Sequence, residues 1–292
     1  MNIDQPIVFV TGKGGVGKSL MAASIATKLA KTGKKTLLVE LGDESYYKDA
    51  LRLKALSTAP QKTSFGFDIA QWSGESCLRE YVLHYIKVEG LYKLFFENKV
   101  MRSFLNVAPA VNELSIVGKL TSGLRKVGPE FHYDHVVVDG YATGHALALL
   151  RAPFGMAQAI DRGPMGKESL EMQVCLKNPR QIKYVIVTLL EDLPVSESVE
   201  LNNAIKNLTG IESSLIINKS LLDGPAQSDL EFVIKNEKDE ELIEFSKFLM
   251  GKRERQQSFV GQLEKNFSEV YSVPFHFESN MDVLVKNIGG SF

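Results

Sequence analysis

The feature that most constrains this chain is a glycine-rich loop held between a short apolar run and an amphipathic stretch. Ile7–Thr11 (IVFVT) is rich in β-formers, and Ser19–Lys31 places Met21, Ile25 and Leu29 at every fourth position, the spacing of a helix's buried stripe. Between them, Gly12-Lys13-Gly14-Gly15-Val16-Gly17-Lys18-Ser19 satisfies G-x-x-x-x-G-K-[ST] at every position. Glycines at this spacing let backbone N–H groups converge on phosphate oxygens, and the positive end of the following helix adds to the field. The pattern predicts a phosphate site made of Gly12, Lys13, Gly14, Gly15, Val16, Gly17, Lys18 and Ser19, with Leu20 next to it. Lys18 is expected to reach the β- and γ-phosphates of ATP, and the Ser19 hydroxyl to be a ligand of Mg²⁺. The competing reading is a plain glycine turn, and the correctly placed strand and helix argue against it.

Gly33 closes the first helix, and Thr36–Leu41 (TLLVEL) reads as the next strand. The same apolar signal returns at His135–Val138, Tyr184–Leu189, Ser214–Ile217 and Val273–Phe277. Strands apolar on both faces and separated by helices predict an α/β fold, with a doubly wound, mostly parallel sheet covered on both sides. The stretch from Leu41 to His135 is too long for one crossover. It carries helical patterns at Leu78–Tyr85, Gly90–Phe96, Met101–Leu105 and Asn112–Arg125, with Tyr81, Tyr85, Tyr92, Phe95, Phe96 and Phe104 clustered there. Further helical stretches are expected at Phe154–Leu176 and Asp229–Phe267, with Lys235–Glu241 (KNEKDEE) as a solvated helix face. The expectation is one domain over 1–292. A helical layer on one edge of the sheet would come from insertions at about 46–127, 152–180 and 225–267.

Composition excludes several classes. In 292 residues, 34 basic and 35 acidic side chains leave a net charge of -1, which argues against a broad nucleic-acid surface. Cys77 and Cys175 form no C-x-x-C, so neither zinc nor an iron–sulfur cluster is expected, and a reducing cytoplasm fits best. No run approaches the ~18 apolar residues of a membrane span. The first six residues, Met1 to Pro6, carry an acid where a signal peptide needs basic residues, and the end Val285–Phe292 has two glycines and one lysine. Direct membrane insertion and a membrane-targeting terminal helix are therefore not expected.

An acid ends the apolar run His135–Val138. Asp139 thus falls where open α/β sheets bind ligands, and it would hold Mg²⁺ through water or orient groups around the γ-phosphate. Lys13, early in the loop, resembles the deviant Walker A of dimeric nucleotide-switch ATPases, which implies a lysine reaching across a dimer to the partner's phosphates. A cation supplied in trans works like an arginine finger, worth about 10³–10⁵ in rate. The other reading of Lys13 is a solvent-facing loop cation. Asp139-Gly140-Tyr141-Ala142-Thr143-Gly144-His145 resembles the D-T-A-P-T-G-H switch II of the ArsA and tail-anchored-protein targeting (GET pathway) ATPases, departing at Gly140, Tyr141 and Ala142. Ala108–Leu114 resembles that family's A-P-G-x-x-E-L, and Val187–Ser198 its V-T-x-P-E-x-x-P-V-x-E-T. In the latter, Pro194 suits a helix's first turn, and Glu197 and Glu200 are read as complementing the helix dipole. Ile216–Lys219 resembles the strand end whose Asn binds adenine, implying that role for Asn218, with a simple turn residue as the alternative. The resemblance covers nearly the whole chain and is closest to bacterial single-domain ArsA-like proteins, some of which occur as paired paralogues. It implies a homodimer, or a heterodimer with a paralogue, binding ATP and Mg²⁺.

One departure weighs against the matches. The family's switch I reads D-P-A-H, and its Asp positions the attacking water. Here Leu38-Val39-Glu40-Leu41-Gly42-Asp43 puts Gly42 at that place and Asp43 one residue later. Misplacement by about 1 Å can cost ~10²-fold, so hydrolysis is expected to be slow, partner-dependent or absent, with Asp43 as the shifted candidate and Glu40 behind it. The leading expectation is a switch ATPase acting on an apolar-helix client or a membrane-protein partner. The alternatives are a nucleotide-binding scaffold with little turnover, a membrane-positioning ATPase and, because two thiols are too few for a metalloid site, more distantly an arsenite-pump subunit.

Overall fold

The computed structural model describes residues 1–85, 109–127, 132–160, 163–278 and 280–291. Among the described residues, eight strands form one sheet: β1 (Ile7–Gly12), β2 (Thr36–Leu41), β3 (Gln61–Lys62), β4 (Asp68–Trp72), β5 (His135–Ala142), β6 (Ile182–Thr188), β7 (Ser214–Ser220) and β8 (Val270–Pro274). Their order is β3-β4-β2-β5-β1-β6-β7-β8, and every pairing is parallel except β3 with β4. All six residues of β1 and of β2 are buried, which is why these strands read as mostly apolar runs rather than alternations. The expected doubly wound α/β fold is the one observed.

Each face of the sheet carries its own apolar layer. Val8, Val10, Leu38, Val137, Val185 and Val187 point to one side, where α1 (Lys18–Lys31) and α10 (Met281–Ser291) lie. A Cβ on Gly289 would sit 2.9 Å from the Ser24 carbonyl oxygen of α1, so this glycine permits close helix packing. Ile7, Phe9, Leu37, Val39, Val136 and Val138 point to the other side. That face is covered by α3 (Gly74–Tyr85), α4 (Pro109–Arg125), α5 (Thr143–Ala159), α6 (Pro164–Leu176) and α7 (Asp192–Thr209), with Leu263 from α9 (Glu240–Asn266). The inserted helices therefore spread over a face, where an edge layer was expected.

Strand β4 falls within the 46–127 stretch read as helical. Its sequence, DIAQW, is neither a continuous apolar run nor an amphipathic helix. Pairing with β2, from Leu37 opposite Asp68 to Leu41 opposite Trp72, makes it a strand and buries Trp72. The patterns at 90–96 and 101–105, and the aromatics at 92, 95, 96 and 104, lie outside the described residues. Lys235–Glu241 is exposed as expected but is no helix face. It spans the break between α8 (Gln227–Asn236) and α9, where the Asp239 carboxylate caps α9 by accepting from Glu241 N and Leu242 N. Strand β8 begins three residues before the predicted Val273, because its pairing with β7 starts at Val270 opposite Leu215.

Among the described residues no helix is long and apolar enough to cross a membrane. Both cysteines are buried, and burial pushes the Cys77 thiol up to about 12. A thiol so placed is almost wholly protonated near neutrality and behaves as a small apolar group. Native protein at pH 8 should therefore resist thiol reagents at Cys77, with both thiols reacting only after unfolding. Fast native labelling of Cys77, read by mass spectrometry, would contradict this packing.

Candidate active site

The strand order reverses between β1 and β5. From β1 the chain crosses through α1 to β2 beyond β5, and after β5 it returns to β6 on the far side of β1. Open α/β sheets bind ligands at the carboxyl ends of such strand pairs. Gly12 ends β1 there, and Asp139 stands beside it, opposite Val10 in the β1–β5 register. The loop that follows tolerates no side chain at two points. A Cβ on Gly12, at φ +145, would meet the Val187 carbonyl oxygen of β6 at 2.2 Å, and one on Gly17, at φ +94, would meet Asn218 Nδ2 at 2.3 Å. Bare backbone is thus held against β6 and β7, and α1 begins at once with Lys18. Converging N–H groups at a helix N-terminus form a ready anion site.

Two cations flank this loop. Lys18 Nζ donates to the Lys13 carbonyl oxygen at 3.0 Å, and burial lowers its pKa while the Asp139 charge opposes that shift. Lys13 turns the other way, and its ammonium is ion-paired with Glu197 of α7. The second oxygen of that carboxylate accepts from Thr143 Oγ at 3.5 Å. Glu197 therefore bridges the loop lysine and the start of α5, and its expected dipole role gives way to this contact. The solvent-facing reading of Lys13 gives way to it as well.

Asp139 is buried in the crevice. Burial lifts its pKa to about 6, outweighing the nearby Ser19 and Tyr47 hydroxyls and the Lys18 charge, which pull it down. Magnesium typically takes one or two protein oxygens along with phosphates and waters. The Ser19 hydroxyl and the Asp139 carboxylate lie close enough to influence each other, and their oxygens fit such a site. Asn218 ends the continuous buried run of β7, Ser214–Asn218. Its amide donates to the Val16 carbonyl oxygen at 2.8 Å, and its Oδ1 accepts from Lys219 N at 2.9 Å, so it braces the loop from below.

The segment after β2 differs from expectation. Glu40 is buried, and its Oε1 accepts from Tyr46 N at 2.6 Å and Tyr47 N at 3.4 Å, while Oε2 accepts from Ser45 Oγ. These bonds cap α2 (Tyr46–Ala50) and commit Glu40 to structure rather than to positioning water. Gly42 N donates to the Trp72 carbonyl oxygen at 3.0 Å, and Gln71 Nε2 donates to the Gly42 carbonyl oxygen at 3.1 Å, pinning the first residue of the loop to β4. Asp43 is exposed beside Tyr141, whose phenol is pushed up to about 12 by burial and then by the charges of Asp43 and Glu113. Tyr141 also stacks near His145, with ring centroids 4.9 Å apart. Tyr47 and the Glu197 pairing were not legible beforehand, because each depends on a contact across distant segments.

The sequence model of the anion-transporting ATPase family, ArsA_ATPase, matches residues 5–171, a span holding the phosphate loop, Asp43 and Asp139–His145. The chain belongs to this family. ATPase BagA of Mycobacterium tuberculosis is 28% identical over 275 residues, covering 87% of this chain and 76% of that protein. The putative arsenical pump-driving ATPase 2 of Aquifex aeolicus is 24% identical over 305 residues, covering 93% of each. An arsenical pump-driving ATPase of Escherichia coli is 27% identical over 229 residues, 78% of this chain and 37% of that longer protein. This anion-transporting ATPase relative is an ATP hydrolase of the ArsA type.

Asp139 yields a pH-dependent prediction. Its folded pKa of about 6 lies above the ordinary 3.8, so its burial lowers the stability of the nucleotide-free protein as pH rises from about 4 to 6, and that cost persists above 6. The ionised form costs on the order of 3 kcal/mol at most. Asp139→Asn should raise the thermal midpoint at pH 8, show little advantage at pH 4, and abolish magnesium-dependent hydrolysis. A midpoint lowered at both pH values would show that the carboxylate is not under strain.

Proposed function

We propose that this ATPase is a dimeric nucleotide switch, and the contact that best supports the reading is Glu197 shared between Lys13 and Thr143. The backbone of Gly12–Ser19 would hold the phosphates of ATP, with Lys18 turning from the Lys13 carbonyl to the β/γ-oxygens. Ser19 would hold Mg²⁺ directly and Asp139 through water, the metal's contribution being to neutralise charge developing on the phosphates. Asn218 would meet adenine with the second hydrogen of its amide, its first being given to Val16. When two subunits close on nucleotide, Lys13 would leave Glu197 for the partner's phosphates, and Thr143 would lose the carboxylate that Lys13 had fixed. A change at the phosphates is thereby passed to α5.

Asp43 is the residue proposed to position water. It stands on a loop whose first residue is pinned to β4, so turnover is expected to depend on closure of the dimer or on a partner. That pinning also favours the second reading, a nucleotide-occupied regulator of a paralogue with slow turnover. The dimer would be homodimeric or formed with a paralogue, and an apolar helix or a membrane protein is the proposed client. Arsenical pumping, named for some relatives, draws no support from Cys77, buried in α3 with a thiol that resists ionisation.

Lys18→Ala should abolish ATP binding in calorimetry, because it removes the main phosphate cation. Asp43→Ala should keep binding and lose most turnover; turnover at the wild-type rate would remove Asp43 from the reaction. Glu197→Ala should release Lys13 and increase the ATP-bound dimer fraction in light scattering. A fraction unchanged from wild type, with ATP bound, would count against the shared-carboxylate switch.

A further inference from the structure

We propose that Tyr47 is a positioning residue of the magnesium site, acting through its hydroxyl on Ser19 and Asp139. Tyr47 is fully buried, at 0% exposure, on the five-residue helix α2. Its hydroxyl donates its one proton to the Ser19 carbonyl oxygen at 2.7 Å. That oxygen belongs to the residue whose hydroxyl is assigned to Mg²⁺, and the phenol also lies near enough to Asp139, assigned to the same ion, for the two groups to shift each other's ionisation. Packing alone does not call for this hydroxyl: a phenylalanine ring would fill the same space without burying a polar group that needs a partner.

The rest of α2 is built to hold the ring in place. Glu40, directly opposite Asp139 in the β2–β5 register, accepts from Tyr46 N and Tyr47 N and from the Ser45 hydroxyl. Ser45 Oγ in turn accepts from Lys48 N at 3.0 Å. A buried carboxylate thus fixes the backbone at Tyr47, and the side chain fixes the residue that supplies the metal-binding hydroxyl. Groups of this kind orient metal ligands without touching the metal, and their removal typically costs 10–100-fold in metal affinity. The same chain of bonds ties the loop after β2 to the phosphate loop, so a shift of Asp43–Tyr46 would be felt at Ser19.

This inference rests on the ATP–magnesium reading of the site. The test is ATP binding by calorimetry, with wild-type and Tyr47→Phe protein, in EDTA and over a series of Mg²⁺ concentrations. ATP affinity in EDTA should be unchanged in Tyr47→Phe, whereas the Mg²⁺ concentration that half-restores tight binding should rise about tenfold or more. An unchanged magnesium requirement would overturn the proposal. So would an equal loss of affinity with and without Mg²⁺, which would make Tyr47 a packing residue only. Wild-type protein whose ATP affinity ignores Mg²⁺ would instead remove the underlying reading of the site. Should Tyr47→Phe fail to fold, Glu40→Gln keeps the phenol but loosens its helix, and it must shift the magnesium requirement in the same direction. A Glu40→Gln protein with wild-type magnesium dependence would overturn the proposal.

Discussion

A carboxylate buried at the carboxyl end of β5 organises the centre of this protein. Asp139 sits where water is excluded, with the Ser19 and Tyr47 hydroxyls and the charge of Lys18 nearby. Burial and compensation do not balance in the nucleotide-free state, as the raised pKa shows. An uncompensated charge of this kind is a standing attraction for a cation, and the backbone amides of the adjoining loop are a standing attraction for phosphates. The two needs are complementary, so a metal–nucleotide pair satisfies both at once. The crevice exists because the strand order reverses between β1 and β5, leaving the ends of both strands uncovered by their own crossover helices.

Around that centre, polar contacts connect segments that are far apart in the chain. Glu197 joins the phosphate loop to the start of α5, and Tyr47 joins α2 to the first turn of α1. Each contact has alternative partners within its own chemistry. A lysine can exchange one anion for another, and a phenol can turn to another acceptor. Contacts of this type can be remade while the surrounding core stays packed. The apolar layers on both faces of the sheet supply the rigid frame against which such exchanges are felt.

The loop after β2 shows how a family pattern can be kept in part and rebuilt in part. Glu40, two residues before Gly42, is spent on capping α2, and Gly42 is tied to β4. Asp43 is left exposed, near Tyr141, which follows Asp139 by two residues. A Cβ on Gly42 would lie 3.9 Å from the Tyr141 ring, so the departures at these two positions are spatial neighbours rather than independent changes.

The order of strand, glycine loop and helix at Ile7–Lys31 was decided by sequence alone, because local backbone freedom and a buried helix stripe leave little choice there. The doubly wound sheet followed from apolar runs bounded by helices, and Asp139 from its place at the end of one of them. Other features were decided only in three dimensions. Strand β4 has a pattern that suits neither element, and pairing with β2 makes it a strand. Glu40 could have faced the nucleotide until α2 presented its amides. Glu197 looked like a helix-dipole residue until folding set Lys13 against it across 184 positions. Periodicity and motif spacing report what each segment does with its own backbone. Which distant polar groups meet is set by packing, and in this protein those meetings define the chemistry of the site.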